Sequence, residues 1–399
     1  MKRNTIAICL AMMLIAAPVF AQGSKEPAKK LELSHYGFLK GDMFYATGGV
    51  TSFGATTLGA PQLATGTNQS AVGFTAQHTR LGLRGSVGEN VKAGGLVEID
   101  FFSNAFDANG KPRIRLAYAS VAKGGFEARF GQQWDIFSPN NANTNNTNAN
   151  MWYAGNRGFR RTQVQLSYKI QSDAISPMVQ LSFGETAREE TGLGKDNLSG
   201  MPMIQGRLSG TIKSKYIVGL SFVTGQYLEK EGTVIPSGTL QDDFKFSTSG
   251  ISLDFNLPLN NYFSLLGEVN TGKNLNNANL FAVAGNHSWV IVTDEVVQSD
   301  KKSLGVWVNA TSKLTDWMHV VVGYGLDMNR SEKYTVDALE ENQAVYGNLT
   351  FPVNHGFSVS VELMNINTVK VTSIDADGAI TGRENMKANV ISLSGKITF

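Results

Sequence analysis

The segment "NVISLSGKITF", Asn389 to Phe399, decides the fold. Asn389, Ile391, Leu393, Gly395, Ile397 and Phe399 fall on one face, and Val390, Ser392, Ser394, Lys396 and Thr398 on the other. A period of two marks a strand, because successive side chains point to opposite sides of the pleat. The pattern returns at Val91, Ala93, Val97, Ile99 and Phe101 against Lys92, Glu98 and Asp100. It returns at Ile251, Leu253, Phe255 and Leu257 against Ser252, Asp254 and Asn256, and at Met318, Val320, Val322, Tyr324 and Leu326 against His319, Gly323, Gly325 and Asp327. About sixteen such runs begin near Tyr36, Phe74, Val91, Arg113, Phe126, Arg161, Pro177, Pro202, Tyr216, Phe244, Asn261, Leu304, Trp317, Gln343, Gly356 and Lys387.

Connections between the runs alternate short and long. The short ones include "GEN" at 88–90, "KGG" at 123–125, "KSK" at 213–215 and "PLN" at 258–260. The long ones cover about 47–73, 103–112, 137–159, 186–201, 228–243, 272–303, 331–341 and 371–385. A soluble sandwich also alternates, but strands of about ten residues with short turns at one end only are the pattern of a membrane barrel. No later run is continuously apolar for the ~20 residues a spanning helix needs, and strands can span lipid only as a closed barrel. The expected fold is therefore all-β: a 16-stranded antiparallel transmembrane β-barrel with short periplasmic turns and long extracellular loops. Tyr118, Phe130, Tyr168, Tyr324 and Phe399 fall at or near strand ends, where interfacial aromatic girdles belong.

The start of the chain agrees with export. Lys2 and Arg3 precede an apolar run from Ile6 to Val19, and Val19-Phe20-Ala21 has the small residues of a cleavage site, so residues 1–21 read as a signal peptide that is removed. Residues 22–35 then form a short periplasmic N-terminal segment and 36–399 the barrel. The single cysteine, Cys9, lies inside the signal, which excludes disulfides and thiolate chemistry from the exported chain. The 35 basic and 33 acidic residues become 33 of each once Lys2 and Arg3 are gone, and a neutral chain argues against a nucleic-acid partner. Glycine is abundant (42) and proline sparse (10), which favours strands and tight turns.

The stretch "RLGLRGSVGENVKAGGLVEIDFF", followed by "RIRLAYASV" and "ARFGQQWDIFSP", together with the terminal Phe399 on its alternating strand, resembles the Gram-negative trimeric porins, and from Arg80 to Pro139 the DcaP-like porin family in particular. The resemblance implies localisation in the outer membrane of a Gram-negative bacterium, contact with outer-membrane lipid and a homotrimer. It also implies insertion by the outer-membrane assembly machinery reading Phe399, and passive uptake of small hydrophilic solutes, anionic or carboxylate-bearing ones foremost. No cofactor is implied.

Two groups of residues are the candidates for pore function. The first is "SPNNANTNNTNANMW", Ser138 to Trp152, in which seven of fifteen residues are asparagine: Asn140, Asn141, Asn143, Asn145, Asn146, Asn148 and Asn150. It lies in the third long loop, which in sixteen-stranded porins folds inward. Asparagine suits a constriction there because its amide offers donors and acceptors to backbone and water and tolerates left-handed turns. The other reading is an ordinary exposed loop tip. Trp152 and Tyr153 close the stretch, and with Trp134 they could stack on sugar rings.

The second group is basic. With Leu81, Leu83 and Val87 toward lipid, Arg80 and Arg84 face the lumen; Ile114, Leu116 and Tyr118 outward place Arg113 and Arg115 inward; Phe126, Ala128 and Phe130 outward place Arg129 inward; Val164 and Leu166 outward place Arg161 inward. Against these six arginines stand Glu98, Asp100, Glu127 and Asp135, leaving two positive charges over. Strand register sets Arg80 opposite Glu98 and brings Asp100 near Arg115, so part of the ladder pairs internally. Guanidinium groups in a wet lumen keep their charge and can grip carboxylates in a planar fork.

These residues support a porin favouring anions, with a sugar-preferring porin as the alternative. A remote alternative is a barrel enzyme built on His78, Asp100 and a nearby serine. "DANG" at 107–110 and "DADG" at 375–378 read as turns, not calcium loops, and the five histidines (35, 78, 287, 319, 355) show no metal spacing.

Overall fold

The computed structural model describes residues 30–50, 63–102, 110–147, 151–186 and 201–399. The signal-peptide reading, Asn148 and Asn150 lie outside the described residues. Sixteen strands form one antiparallel sheet that closes on itself. In chain order they are β1 (Glu32–Ala46), β2 in two segments (Ala71–Thr75 and Arg80–Val87), β3 (Lys92–Asp100), β4 (Arg113–Lys123), β5 (Phe126–Trp134), β6 (Arg160–Lys169), β7 (Ile175–Gly184) and β8 (Met203–Ile212). There follow β9 (Tyr216–Glu229), β10 (Phe244–Pro258), β11 (Phe263–Lys273), β12 (Lys302–Thr315), β13 (Met318–Asn329), β14 (Leu339–Asn354), β15 (Phe357–Ile374) and β16 (Ile380–Thr398). Closure runs from Phe38 opposite Thr398 to Ala46 opposite Val390, and Gly37 and Phe399 exchange both backbone hydrogen bonds at 3.1 Å. No described helix is long and apolar enough to cross a membrane.

The outward face is apolar because of the period-two pattern. Leu83, Val97, Leu208, Leu220, Leu253, Val322, Leu363 and Leu393 are all exposed, as are Phe130, Tyr168, Tyr324 and Phe399 among the expected girdle aromatics. Three details depart from the sequence expectation. Strand β1 begins at Glu32, four residues before Tyr36, because Glu32–Phe38 pair with Ser86–Arg80. The last long loop shrinks from 371–385 to 375–379, because β15 and β16 continue pairing past the apolar band. There Asp375 accepts hydrogen bonds from the backbone N–H groups of Asp377 and Ala379, and Gly378 has φ 80°, so "DADG" is a turn.

The third departure changes which residues face inward. Glu98 pairs with Leu116 and Ile99 with Ile114, which leaves Arg115 as a bulge in β4. One extra residue reverses the alternation on one side of it. Arg115 therefore faces inward as expected, but so do Leu116 and Tyr118, which the simple alternation assigns to lipid. Leu116 is buried, and Tyr118 lies 5.2 Å from the Arg129 guanidinium on the interior face.

The interior is not uniform. Around β12–β16 and β1 the inward residues include Trp307, Tyr346, Met364, Ile366, Met386, Val390 and Phe44, all buried in one apolar cluster with Ala142, Met151 and Ala154 of the third loop. The adjoining wall, β2 to β6, carries arginines and carboxylates instead.

Candidate functional site

The described parts of the third long loop, residues 135–147 and 151–159, lie against the inside of the barrel and follow its wall from strand to strand. Ser138 donates its hydroxyl to Glu268 on β11, and the Asn140 N–H donates to the same carboxylate at 2.8 Å. The Asn143 N–H reaches Asn309 on β12 at 3.1 Å. The Asn145 N–H reaches Glu362 on β15 at 2.9 Å, its side-chain amide donates to Ser392 on β16 at 3.0 Å, and its side-chain oxygen accepts from Asn348 on β14 at 3.0 Å and Ser360 at 2.7 Å. Lys40 on β1 donates to the Asn145 carbonyl at 2.9 Å, and the Asn146 side-chain oxygen lies 3.1 Å from His78 Nε2 beside β2. Asn141 is half-buried. Asn140, Asn143, Asn145 and Asn146 thus meet successive parts of the wall, satisfying polar groups that burial would otherwise leave at a cost of about 1–3 kcal/mol each. The left-handed positions in this loop fall on Ser138, Met151 and Tyr153, not on the described asparagines, whose role here is side-chain bonding.

The return of the loop is pinned by a buried ion pair. Arg157 grips Asp327 on β13 with two bonds at 2.5 and 2.8 Å, and also donates to Asn270 on β11 at 2.8 Å and to the Phe281 carbonyl at 2.6 Å. The loop backbone presses directly on the wall here. Gly155 has φ 98°, and a Cβ there would stand 2.3 Å from the Val306 carbonyl oxygen; a Cβ on Gly325 would stand 2.2 Å from that of Ala154. Only glycine permits that approach.

A second long loop also turns inward, which the sequence reading leaves as a plain connection. Residues 274–287 carry Leu275, Leu280, Phe281, Ala282 and Val283, all buried. Leu275 and Leu280 join Phe137, Met203 and Val223, while Phe281 stacks on Trp152 at 4.2 Å and meets Phe159 edge-on at 5.2 Å. Here asparagine does take the left-handed conformation, at Asn274 and Asn279. The available signal is "NLNNANLFAVAGNH", asparagine clustered around an apolar run that a solvated loop has no use for. His287, at its end, packs 3.7 Å from the Phe246 ring, and burial pushes its imidazole down to about 4.

The arginine arc is held in mutual pairs. Arg80 lies 3.5 Å from Glu98, Arg115 bridges Glu98 and Asp100 at 2.8 Å each, and Arg113 forks Asp100 at 2.9 and 2.7 Å. Both pairings read from register, Arg80 with Glu98 and Arg115 with Asp100, are present. Arg161 forks Asp135 at 2.6 and 2.8 Å beside Gln205, and is almost sealed, as is Arg115. Arg129 and Glu127 pair at 2.9 Å with about a third of each side chain exposed. Arg84 is exposed and sits over the Tyr36 ring at 5.9 Å; no carboxylate partner is found for it among the described residues.

Sequence reasoning misses Arg160. It is 4% exposed and lies 5.1 Å from the Trp134 ring and 5.6 Å from that of Phe159, amid the charges of Arg115, Arg113, Asp100 and Arg80. Its Nε and Nη1 have no hydrogen-bond partner among the described residues. Strand alternation gives Arg160 the parity of Thr162 and Val164, so nothing in the pattern marks it. Arg207, which forks Asp254 at 3.0 and 2.6 Å, is, like Arg157, a further inward arginine outside the expected set.

The aromatic and histidine candidates are occupied. Trp152 is buried, donates its indole N–H to the Gly158 carbonyl at 3.1 Å and is covered by Phe281; Tyr153 donates its hydroxyl to Asn276 at 3.2 Å; Trp134 lies against Arg160 and Arg115. The partners of the His78 imidazole are Asp42 and Asn146, not Asp100. A bulge of Ala76–Thr79 between the two segments of β2 turns it inward, where Nδ1 meets Asp42 at 2.6 Å and Nε2 meets Asn146. Ser394 bonds Asp42 instead of the imidazole, so no hydroxyl is activated there. Among the described residues no cluster of histidine, cysteine or carboxylate could hold a metal ion.

No protein-family model and no curated protein sequence matches the chain. Solved structures do. The outer-membrane channel DcaP of Acinetobacter baumannii superposes with a TM-score of 0.70 at 19% identity, covering 92% of this chain and 97% of the other. An anion-selective porin from Comamonas acidovorans gives 0.58 at 12% identity over 93% and 100%, and the trimer form of OmpT, an outer-membrane protein of Vibrio cholerae, gives 0.56 at 12% over 93% and 100%. With sixteen antiparallel strands, full closure, an apolar outer belt and an inward third loop, the chain has the fold of the outer-membrane porins.

Proposed function

We propose that the protein is an outer-membrane channel of a Gram-negative bacterium for passive diffusion of small hydrophilic solutes, with a preference for anionic or carboxylate-bearing ones. The observation that carries the preference is the excess of guanidinium on one wall. Arg80, Arg84, Arg113, Arg115, Arg129, Arg160 and Arg161 stand against Glu98, Asp100, Glu127 and Asp135, and the third loop lies against the other wall, carrying no carboxylate from Ser138 to Gly158. The paired, sealed members set the field, while Arg84 and Arg129 offer exposed cations to a passing solute. The trimer form of a similar barrel supports a homotrimer for this one. The Gly37–Phe399 backbone pair supports Phe399 as the residue on which assembly and closure depend. Occupied faces on Trp152 and Tyr153 weigh against the sugar-preferring alternative.

The test is the reversal potential across a salt gradient in a planar bilayer, with Arg84→Glu/Arg129→Glu as the variant. A unit charge ~5 Å away contributes on the order of 0.8 kcal/mol in water, so reversing two exposed cations is expected to move selectivity several-fold toward cations. The Debye length is ~10 Å at 0.1 M and ~3 Å at 1 M, so the preference is expected in dilute salt and lost in concentrated salt. Cation preference of the unmodified protein at low salt, or an unchanged reversal potential in the variant, overturns the anionic reading; absence of any conductance overturns the channel.

A further inference from the structure

We propose that the outer wall carries a binding site for the phosphorylated headgroup of an outer-leaflet lipid, formed by Lys273, Lys302 and Arg330 above Ile251 and Thr271. It rests on the reading that the barrel spans the outer membrane. An open cavity of about 460 Å³ is lined by these five residues, among others. Lys273 and Lys302 are direct register partners at the loop ends of β11 and β12, and the Arg330 N–H donates to the Lys302 carbonyl, which brings a third cation to the same rim.

Three arguments favour an anion there. First, like charges directly opposed on neighbouring strands repel. Second, Asp300 pairs with Lys273 and Glu332 with Lys302, while the Arg330 guanidinium makes no ion pair among the described residues and lies beside the Met328 sulfur at 3.5 Å. Third, the height fits a headgroup. From Phe263 to Lys273 is ten residues, which at ~3.3 Å each on a strand tilted ~40° is ~25 Å, the height of the apolar band of such barrels. At the foot of that span Tyr262 and Trp317 are exposed aromatics of one interface, so the three cations stand at the other. Below them Ile251, Leu253 and Val269 are exposed, an apolar strip for acyl chains. A phosphate with chains attached satisfies both halves of the site; a free anion satisfies only the rim.

Native mass spectrometry of the purified protein with diphosphoryl lipid A tests this. One lipid is expected to bind tightly per chain. The Lys273→Gln/Lys302→Gln/Arg330→Gln variant is expected to bind it about a hundredfold more weakly, from about fivefold per cation at a membrane surface. Lys273→Arg/Lys302→Arg is expected to retain binding, which separates lost charge from lost folding, and Lys313→Gln at the opposite end of β12 is expected to bind as the parent does. Equal binding of the dephosphorylated lipid, displacement by inorganic phosphate, or an unchanged triple variant overturns the proposal. Loss of the oligomer in the triple variant also overturns it, because a second copy then occupies the face. A protein that binds lipid in this pattern but gives no conductance refutes the channel and leaves the lipid site standing.

Discussion

The wall of β2 to β6 and the wall of β12 to β16 are built from the same outward alternation but have opposite interiors. On the first, arginines and carboxylates pair with each other along the strands, and Arg84, Arg129 and Glu127 retain contact with solvent. On the second, Trp307, Tyr346, Met364 and Ile366 are sealed beneath the third loop, and Asp327 and Glu362 there, with Glu268 on the neighbouring β11, are each bonded to it. The contrast shows how a barrel can be narrowed on one side: the loop fixes itself to an apolar, carboxylate-studded wall and leaves the arginine wall to face the solute.

That contrast breaks most strongly at the buried ion pair. Asp327→Ala is expected to destabilise the protein by about 3–5 kcal/mol, because it strands Arg157 uncompensated in the interior, whereas Glu127→Ala at the exposed Arg129 pair is expected to cost about 1 kcal/mol or less. Unfolding midpoints of the two variants measure the difference, and equal losses erase the distinction between the walls. The released loop is expected to raise single-channel conductance in Asp327→Ala alone. Next in size, Ile366→Ala is expected to cost about 2–4 kcal/mol through the cavity it opens under the loop. The outward Leu363→Ala, three residues earlier and half exposed, is expected to leave the unfolding midpoint nearly unchanged.

The smallest effect concerns acid. Burial lowers the His287 pKa from 6.5 to about 4, so the folded state holds the neutral ring. The stabilisation is fully present above pH 6.5 and is lost progressively as pH falls toward 4, since the unfolded state then binds a proton that the folded state refuses. Residues 274–301 are expected to become more accessible to protease over that window, with His287→Phe abolishing the dependence. A parent loop equally protected at pH 7 and pH 4.5 counts against it.

The outward face of the barrel was legible in the sequence because lipid imposes a single rule on every second residue. The interior obeys several rules at once, and there legibility varied. The stretch around Asn145 reads as an inward loop through its place as the third long loop of a porin-like barrel, and its composition alone leaves an exposed loop tip open. The β4 bulge at Arg115 left no mark, since one inserted residue changes parity without changing composition, and Leu116 and Tyr118 were misassigned with it. Arg160 escapes a different way: alternation gives it the outward parity of Thr162 and Val164, and its burial follows from Trp134 and Phe159 packing over it. The second inward loop was visible in principle at Leu280 to Ala284, an apolar run inside a connection.

The pairing of β1 with β16 also bears on how the molecule is made. Residues 38–46 are synthesised long before their partners, 390–398. Throughout elongation and export the first strand therefore presents an open edge, its N–H and C=O groups free to join any other strand. Every chain interrupted before its end keeps that edge and acquires a second one, which makes incomplete copies the most adhesive. A cell that translates this chain gains by holding it unfolded until β16 is available to pair with β1.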